Sequence, residues 1–180
     1  MPAQIATMKT MPKPRLYIFI GYPGAGKTTV AKAIAETTGA VHLWADAERH
    51  KLFPVPRHSL AESNQLYAQL NDEADKLLSE GKSVVFDTNF NFRADRQKLR
   101  DIAARRGAET IVVWVTTPID EARKRAVGEH VMRNGYAMTM TEAQFNNIAA
   151  KLEPPAKDEK IIKIDDPKLD RQELIRLLSQ

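Results

Sequence analysis

The stretch Leu16-Tyr-Ile-Phe-Ile-Gly21-Tyr-Pro-Gly-Ala-Gly-Lys27-Thr28-Thr29 decides the fold. Its first five residues are aromatic or aliphatic, the composition of a short strand with no polar interruption. Gly21, Pro23, Gly24 and Gly26 then break regular structure, and helix formers resume from Lys27 to Glu36. Between strand and helix the loop fits G-x-x-x-x-G-K-[ST] at every fixed position. Glycines let successive backbone N–H groups turn inward around an anion, and the helix N-terminus adds its positive end. Gly21, Tyr22, Pro23, Gly24, Ala25, Gly26, Lys27, Thr28 and Thr29 are thus the expected cradle for the phosphates of ATP. Lys27 would reach the β- and γ-phosphates, and the Thr28 hydroxyl would hold Mg²⁺. Without the strand before it and the helix after it, the same run would be a glycine-rich turn with an exposed lysine.

Outward from this stretch, four more short apolar runs read as strands: Val41 to Ala45, Ser83 to Phe86, Ile111 to Val115 and Lys160 to Ile164. Helical patterns separate them. Leu60, Leu66, Leu70, Ala74 and Leu77 share a face between Ser59 and Ser79, with Gly81 as the stop and Ser59 and Glu62 spaced as a capping box. Charged helices are expected over Arg93 to Arg106 and Ile119 to Met132, and further helices over Thr141 to Leu152 and Leu169 to Leu178. Strands joined by helices of ten or more residues are βαβ units, because parallel neighbours need a crossover. The expected fold is α/β, a three-layer sandwich in which a mostly parallel five-stranded sheet carries helices on both faces and a short helical lid.

The chain has 180 residues, 43% hydrophobic and 28% charged, which excludes disorder as a description of the whole and suits one core. Residues 1–14 carry Pro and Lys-Pro punctuation without periodicity and read as a flexible arm, with residues 15–180 as a single domain. The longest apolar runs fall far short of the roughly 18 residues that cross a bilayer, and no leader pattern opens the chain, so a cytoplasmic location is the expectation. The absence of cysteine removes thiolate metal sites, cysteine nucleophiles and disulfides. A net charge of +4 suits phosphorylated ligands without demanding them.

Two carboxylates stand where this chemistry needs them. Asp87 ends an apolar strand, the position from which such proteins orient the metal ion, although Asp there also suits an N-cap. Asp46 follows the second strand, and ligands of open α/β sheets bind outside the carboxyl ends of strands. It could take the proton of an acceptor hydroxyl, or serve as a cap or solvated turn residue.

Three blocks in order, GYPGAGKTT, Asp46 with Arg49 in ADAERHKLF, and Asp87-Thr88-Asn89-Phe90-Asn91 followed by Arg93 and Arg96, resemble the small P-loop kinases typified by the kinase domain of phage polynucleotide 5′-hydroxyl kinase. The resemblance spans roughly Arg15 to Ile164. It implies an ATP- and Mg²⁺-dependent phosphotransferase with Asp46 as general base and Arg49 on a substrate phosphate. It also implies Asp87 and Asn89 on the metal and substrate side, and lid arginines, best matched by Arg125 and Arg133, around the transferring phosphoryl group. Arg123 and Lys124 compete for that last role, and all three cations of Arg123-Lys124-Arg125 would otherwise be a solvated helix face paired with Asp120 and Glu121. No D-x-D-G-T run for phosphatase chemistry is present, so the implied activity is kinase only. The same core also resembles gluconate-kinase-like, chloramphenicol-phosphotransferase-like and zeta-toxin-like proteins, which leaves the acceptor as either a nucleic-acid 5′ end or a small hydroxylated molecule. A regulatory ATPase without a dedicated acceptor is the reading from another class, and a bare ATP-binding module a third.

The run from Arg49 to His58 sets cations and one aromatic beside Asp46, as a groove for single-stranded nucleic acid or as a solvated loop. Trp44 could stack on a substrate ring or pack at the rim, whereas Trp114 belongs to the core. His42, His50, His58 and His130 lack metal-ligand spacing. Met132, Met138 and Met140 are expected to pack under the lid, and Lys157 to Lys160 to be solvated surface.

Overall fold

The structure is a computed structural model that describes residues 12–133 and 135–180. Five strands, β1 (Arg15–Ile20), β2 (Val41–Trp44), β3 (Val84–Asp87), β4 (Glu109–Val115) and β7 (Ile161–Ile164), form one sheet in the order β2-β3-β1-β4-β7, with every pairing parallel. β1 lies at the centre, and from Leu16 to Ile20 it is at most 1% exposed on either face, which is why its sequence is apolar without alternation.

Side-chain alternation along the strands sorts the core into two layers. Leu16, Ile18, Ile20 and Phe86 pack against α3 (Leu60–Ser79) and α4 (Arg93–Arg105) through Leu66, Leu70, Leu99 and Ile102. Tyr17, Phe19, Val85 and Val113 pack against α1 (Lys27–Thr38) and α7 (Arg171–Leu178) through Val30, Ile34, Leu174 and Leu178. The connection leaving β1 therefore runs on one face and that leaving β3 on the other. Between their carboxyl ends lies the crevice where such sheets bind ligands.

Several elements differ from the sequence reading. The second strand stops at Trp44, and Ala45–Leu52 forms a helix, α2, so Asp46 sits in a first helical turn rather than a loop. The helix expected to reach Met132 ends at Ala126 (α5, Ile119–Ala126). Gly128–Arg133 and Tyr136–Met140 are instead antiparallel strands β5 and β6, so the lid carries a hairpin before α6 (Glu142–Ala150). Val127 and Gly128 stop α5, and β-branched or alternating side chains follow. Ser59 does cap α3 by accepting from the Glu62 N–H (3.2 Å), but the Glu62 carboxylate accepts from the Arg57 N–H, so the reciprocal box is completed at Thr141 and Gln144 instead.

Lys157, Asp158 and Lys160 are exposed as expected, but Glu159 within that run is buried. Its carboxylate accepts from Arg96 Nε (2.7 Å) and Nη2 (3.1 Å), and both side chains are fully buried. Arg96 also donates from Nη1 to the Phe90 carbonyl (3.0 Å) and from Nη2 to the Pro154 carbonyl (3.3 Å). Burial works to raise the Glu159 carboxyl, yet the Arg96 guanidinium and the Ala156 N–H hold it below its ordinary value. Met132 is 66% exposed rather than packed under the lid, while Met140 packs with Phe145. Among the described residues no helix is long and apolar enough to cross a membrane. Most of the proposed arm, residues 1–11, lies outside the described residues.

Candidate functional site

Gly26 takes the N-cap of α1 in the left-handed region (φ 99°) and offers no side chain to the first turn, and that turn holds no acidic residue. A first turn with no side-chain cap and no acidic residue suits an anionic ligand. The loop is held from three sides. Thr117 Oγ1 donates to the Ala25 carbonyl (2.7 Å), the Gly21 N–H donates to Asn91 Oδ1 (3.2 Å), and α5 lies so close that a Cβ on Gly24 would stand 2.3 Å from the Ala122 carbonyl oxygen. Lys27 Nζ spans the loop, donating to the Gly21 (2.9 Å) and Tyr22 (2.8 Å) carbonyls.

The Thr28 hydroxyl donates to Asp87 Oδ1 at 3.2 Å, and Asp87 is only 3% exposed. A hydroxyl and a carboxylate brought together by α1 and the end of β3 are the hard oxygen donors that suit Mg²⁺. His42 Nε2 lies 3.0 Å from Asp87 Oδ2 and orients the carboxylate from the neighbouring strand. Trp44 is the register partner of Asp87, so Asp46, two residues further on, leaves the sheet at the same edge, half-buried in the first turn of α2.

Arg49, one turn after Asp46, is 6% exposed and packs against α3. Nη2 lies 3.4 Å from Ser63 Oγ, while Nη1 is buried without a hydrogen-bond partner and only 4.0 Å from Glu62. Asn89 is exposed beside β3. On the lid, Arg125 bonds Glu121 (3.1 Å) and Arg123 bonds Asp120 (2.8 Å), the pairings of a solvated helix face. Arg123 also lies over the Phe145 ring (5.2 Å). Arg133 ends β5 opposite Tyr136, but its side chain lies outside the described part of the structure.

No expectation from the sequence assigns a role to His42 or Tyr136; His50 enters only with the Arg49 to His58 run, and Asn91 only within D-T-N-F-N. The second Asn of D-T-N-F-N was the one available signal for Asn91, whose side chain pins the start of the loop across 70 residues of sequence. Tyr136 comes from the hairpin to stack on His50, with ring centroids 4.1 Å apart and planes 4° from parallel, and it tilts over Trp44 at 5.4 Å. Trp44 itself is crowded by His42 (6.1 Å, stacked) and by Lys32 Nζ (4.8 Å). Its ring is rim packing rather than an open platform.

A family model described as AAA domain matches residues 16–155, and the chain belongs to that family. Solved structures share the fold. A Chloroflexus aurantiacus protein superposes with a TM-score of 0.73 at 18% identity, covering 93% of this chain and 98% of that one. The Mycobacterium tuberculosis APS kinase CysC, in complex with AMPPNP and APS, gives 0.67 at 22% identity, with 94% and 100% covered. The Acinetobacter baumannii shikimate kinase in complex with shikimate gives 0.57 at 19%, with 94% and 92% covered. At these identities the likeness is one of fold, that of the P-loop kinases. No curated protein matches the sequence.

Proposed function

We propose that the chain is an ATP-dependent kinase that moves the γ-phosphoryl group of Mg-ATP onto a hydroxyl of its acceptor. One observation carries the reading: Asp87, bonded by the Thr28 hydroxyl, ends β3, and Asp46 follows the end of the neighbouring parallel strand β2, beside a glycine loop whose helix has no side-chain cap. In this reading the loop N–H groups and Lys27 bind the phosphates, Lys27 exchanging its two loop carbonyls for phosphate oxygens. Thr28 and Asp87 would hold Mg²⁺, which would supply neutralisation of phosphate charge.

Asp46 takes the proton of the attacking hydroxyl, and Arg49 faces an anionic group on the acceptor. Arg125 and Arg133 are the candidates for the lid cations around the transferring group; Arg125 would have to leave Glu121. The likeness to phage polynucleotide 5′-hydroxyl kinase in the D-x-x-R and D-T-N-x-N blocks favours a nucleic-acid 5′ end as acceptor. The APS and shikimate kinases of the same fold, each solved with a small molecule, keep a small hydroxylated acceptor as the second reading.

The test is transfer of labelled γ-phosphate from Mg-ATP to single-stranded 5′-hydroxyl RNA and DNA, with Asp46→Asn run in parallel. Transfer that the variant loses supports a polynucleotide kinase with Asp46 as its base. ATP binding without transfer to nucleic acid, followed by transfer to a hydroxylated small molecule, moves the assignment to the second reading. ATP hydrolysis that Asp46→Asn leaves unchanged, with no acceptor, overturns both.

A further inference from the structure

His50 lies one turn beyond Asp46 on α2, so the two side chains share a helix face. Tyr136, the first residue of β6, meets His50 on that helix, and only residues 134 and 135 separate it from its register partner Arg133. The two rings meet nearly parallel, 4° between planes, with centroids 4.1 Å apart. Their backbones belong to elements that share neither a sheet nor the apolar cluster beneath α5 and α6. Trp44 walls one side of the pair, with its indole Nε1 buried and lacking a hydrogen-bond partner. His58 stands near Asp46, Arg49 and His50, with φ at 53°, an unusual backbone for a residue that is not glycine.

We propose that His50 and Tyr136 form a clamp for a planar ring carried by the acceptor, so that the substrate class is hydroxylated molecules bearing a nucleobase-like ring. In this structure the two rings lie against each other. On binding, the two rings part by the thickness of one ring, and the acceptor is stacked between imidazole and phenol with its hydroxyl beside Asp46. The inference rests on the kinase reading for the role of Asp46, but the clamp itself is a statement about binding. A base stacked on an aromatic side chain is recognised through its face rather than its edge, so the clamp accepts different bases with similar strength.

The experiment is calorimetric titration of the full chain with adenosine 3′-monophosphate, uridine 3′-monophosphate and the base-free 1-deoxyribose 3-phosphate, followed by a 5′-hydroxyl trinucleotide. Both nucleotides are expected to bind about tenfold or more tightly than the base-free compound, in line with the strength of a base on an aromatic face. Tyr136→Leu and His50→Leu should each erase most of that preference and leave base-free binding within about twofold, while Tyr136→Phe keeps it. Tighter binding of the trinucleotide than of the mononucleotides would identify the ring as one base of a strand, and equal binding a free nucleoside.

Equal affinity of wild-type protein for ringed and base-free probes overturns the clamp, whether or not the leucine variants fold. Tightened nucleotide binding in Tyr136→Leu overturns it too, because Tyr136 would then be a plug. Ring preference in binding without phosphoryl transfer to any probe would sink the kinase reading and leave the clamp standing. Efficient transfer to the base-free compound would do the reverse.

Discussion

Gly24 of the phosphate loop and Ala122 of the lid helix touch backbone to backbone: a Cβ on Gly24 would lie 2.3 Å from the Ala122 carbonyl oxygen and 3.1 Å from Ala126. Gly24 also holds φ at 78°, where an L side chain is strained. Gly24→Ala should therefore push α5 off the loop. The strain alone is about 1 to 3 kcal/mol, and affinity for an ATP analogue should fall by at least about tenfold on the same scale. Gly39→Ala is the matched control, since Gly39 has a similar φ of 73° and nothing within 4 Å of the added carbon. Calorimetric titration of both variants checks it, and equal losses would mean that the lid contact does not matter.

The bond from the Thr28 hydroxyl to Asp87 predicts how the metal acts. Asp87→Asn keeps the shape but gives up the charge. It should lower turnover by about 10² to 10³-fold, the scale of removing one preorganised electrostatic contact. The loss should be partly recovered at high Mg²⁺ concentration, and in wild-type protein EDTA should abolish transfer. Turnover in Asp87→Asn that equals wild type at all Mg²⁺ concentrations would remove Asp87 from the metal site.

Asp46→Asn separates binding from chemistry. Because Asp46 leaves the sheet on β2 while the loop follows β1, ATP affinity should stay within about twofold. Transfer to an acceptor should drop by about 10² to 10⁴-fold, the usual contribution of a positioned base. Steady-state kinetics beside equilibrium ATP titration reads both quantities at once.

Arg96 and Glu159 predict a stability effect remote from the chemistry. Arg96→Met leaves a buried carboxylate alone and should cost about 3 to 5 kcal/mol, whereas the double replacement Arg96→Met with Glu159→Leu should recover most of it. Thermal melts of the three proteins test this. The same pair sets an acid limit. The folded-state Glu159 carboxyl is held below its ordinary value of 4.5, so its contribution is complete above that pH and is lost as pH falls through the lower folded value. Glu159→Gln should flatten the fall in melting temperature below about pH 4.5.

The readings that survived contact with the structure were those written in local pattern. A run such as Leu16 to Ile20, apolar on both faces, has few options other than a central parallel strand, and the glycine loop after it needs its φ values wherever it occurs. The lid was harder. Ile119 to Met132 has the charge density of a helix, yet after Val127 the chain pairs with Tyr136–Met140, a partner that no local pattern announces. Glu159 shows the same limit, since Lys-Asp-Glu-Lys reads as solvated until Arg96, 63 residues away in sequence, is placed over it.

The five strands of the sheet, the helices that join them and the glycine loop after β1 are legible in the sequence alone, because they depend on side-chain period and on residues adjacent in the chain. Only the tertiary structure decided that Asn91 anchors the loop, that His42 orients Asp87 and that Tyr136 stacks on His50. Each of those contacts joins residues at least 45 apart in sequence, and their geometry follows from how the sheet and its lid close on one another rather than from any local preference.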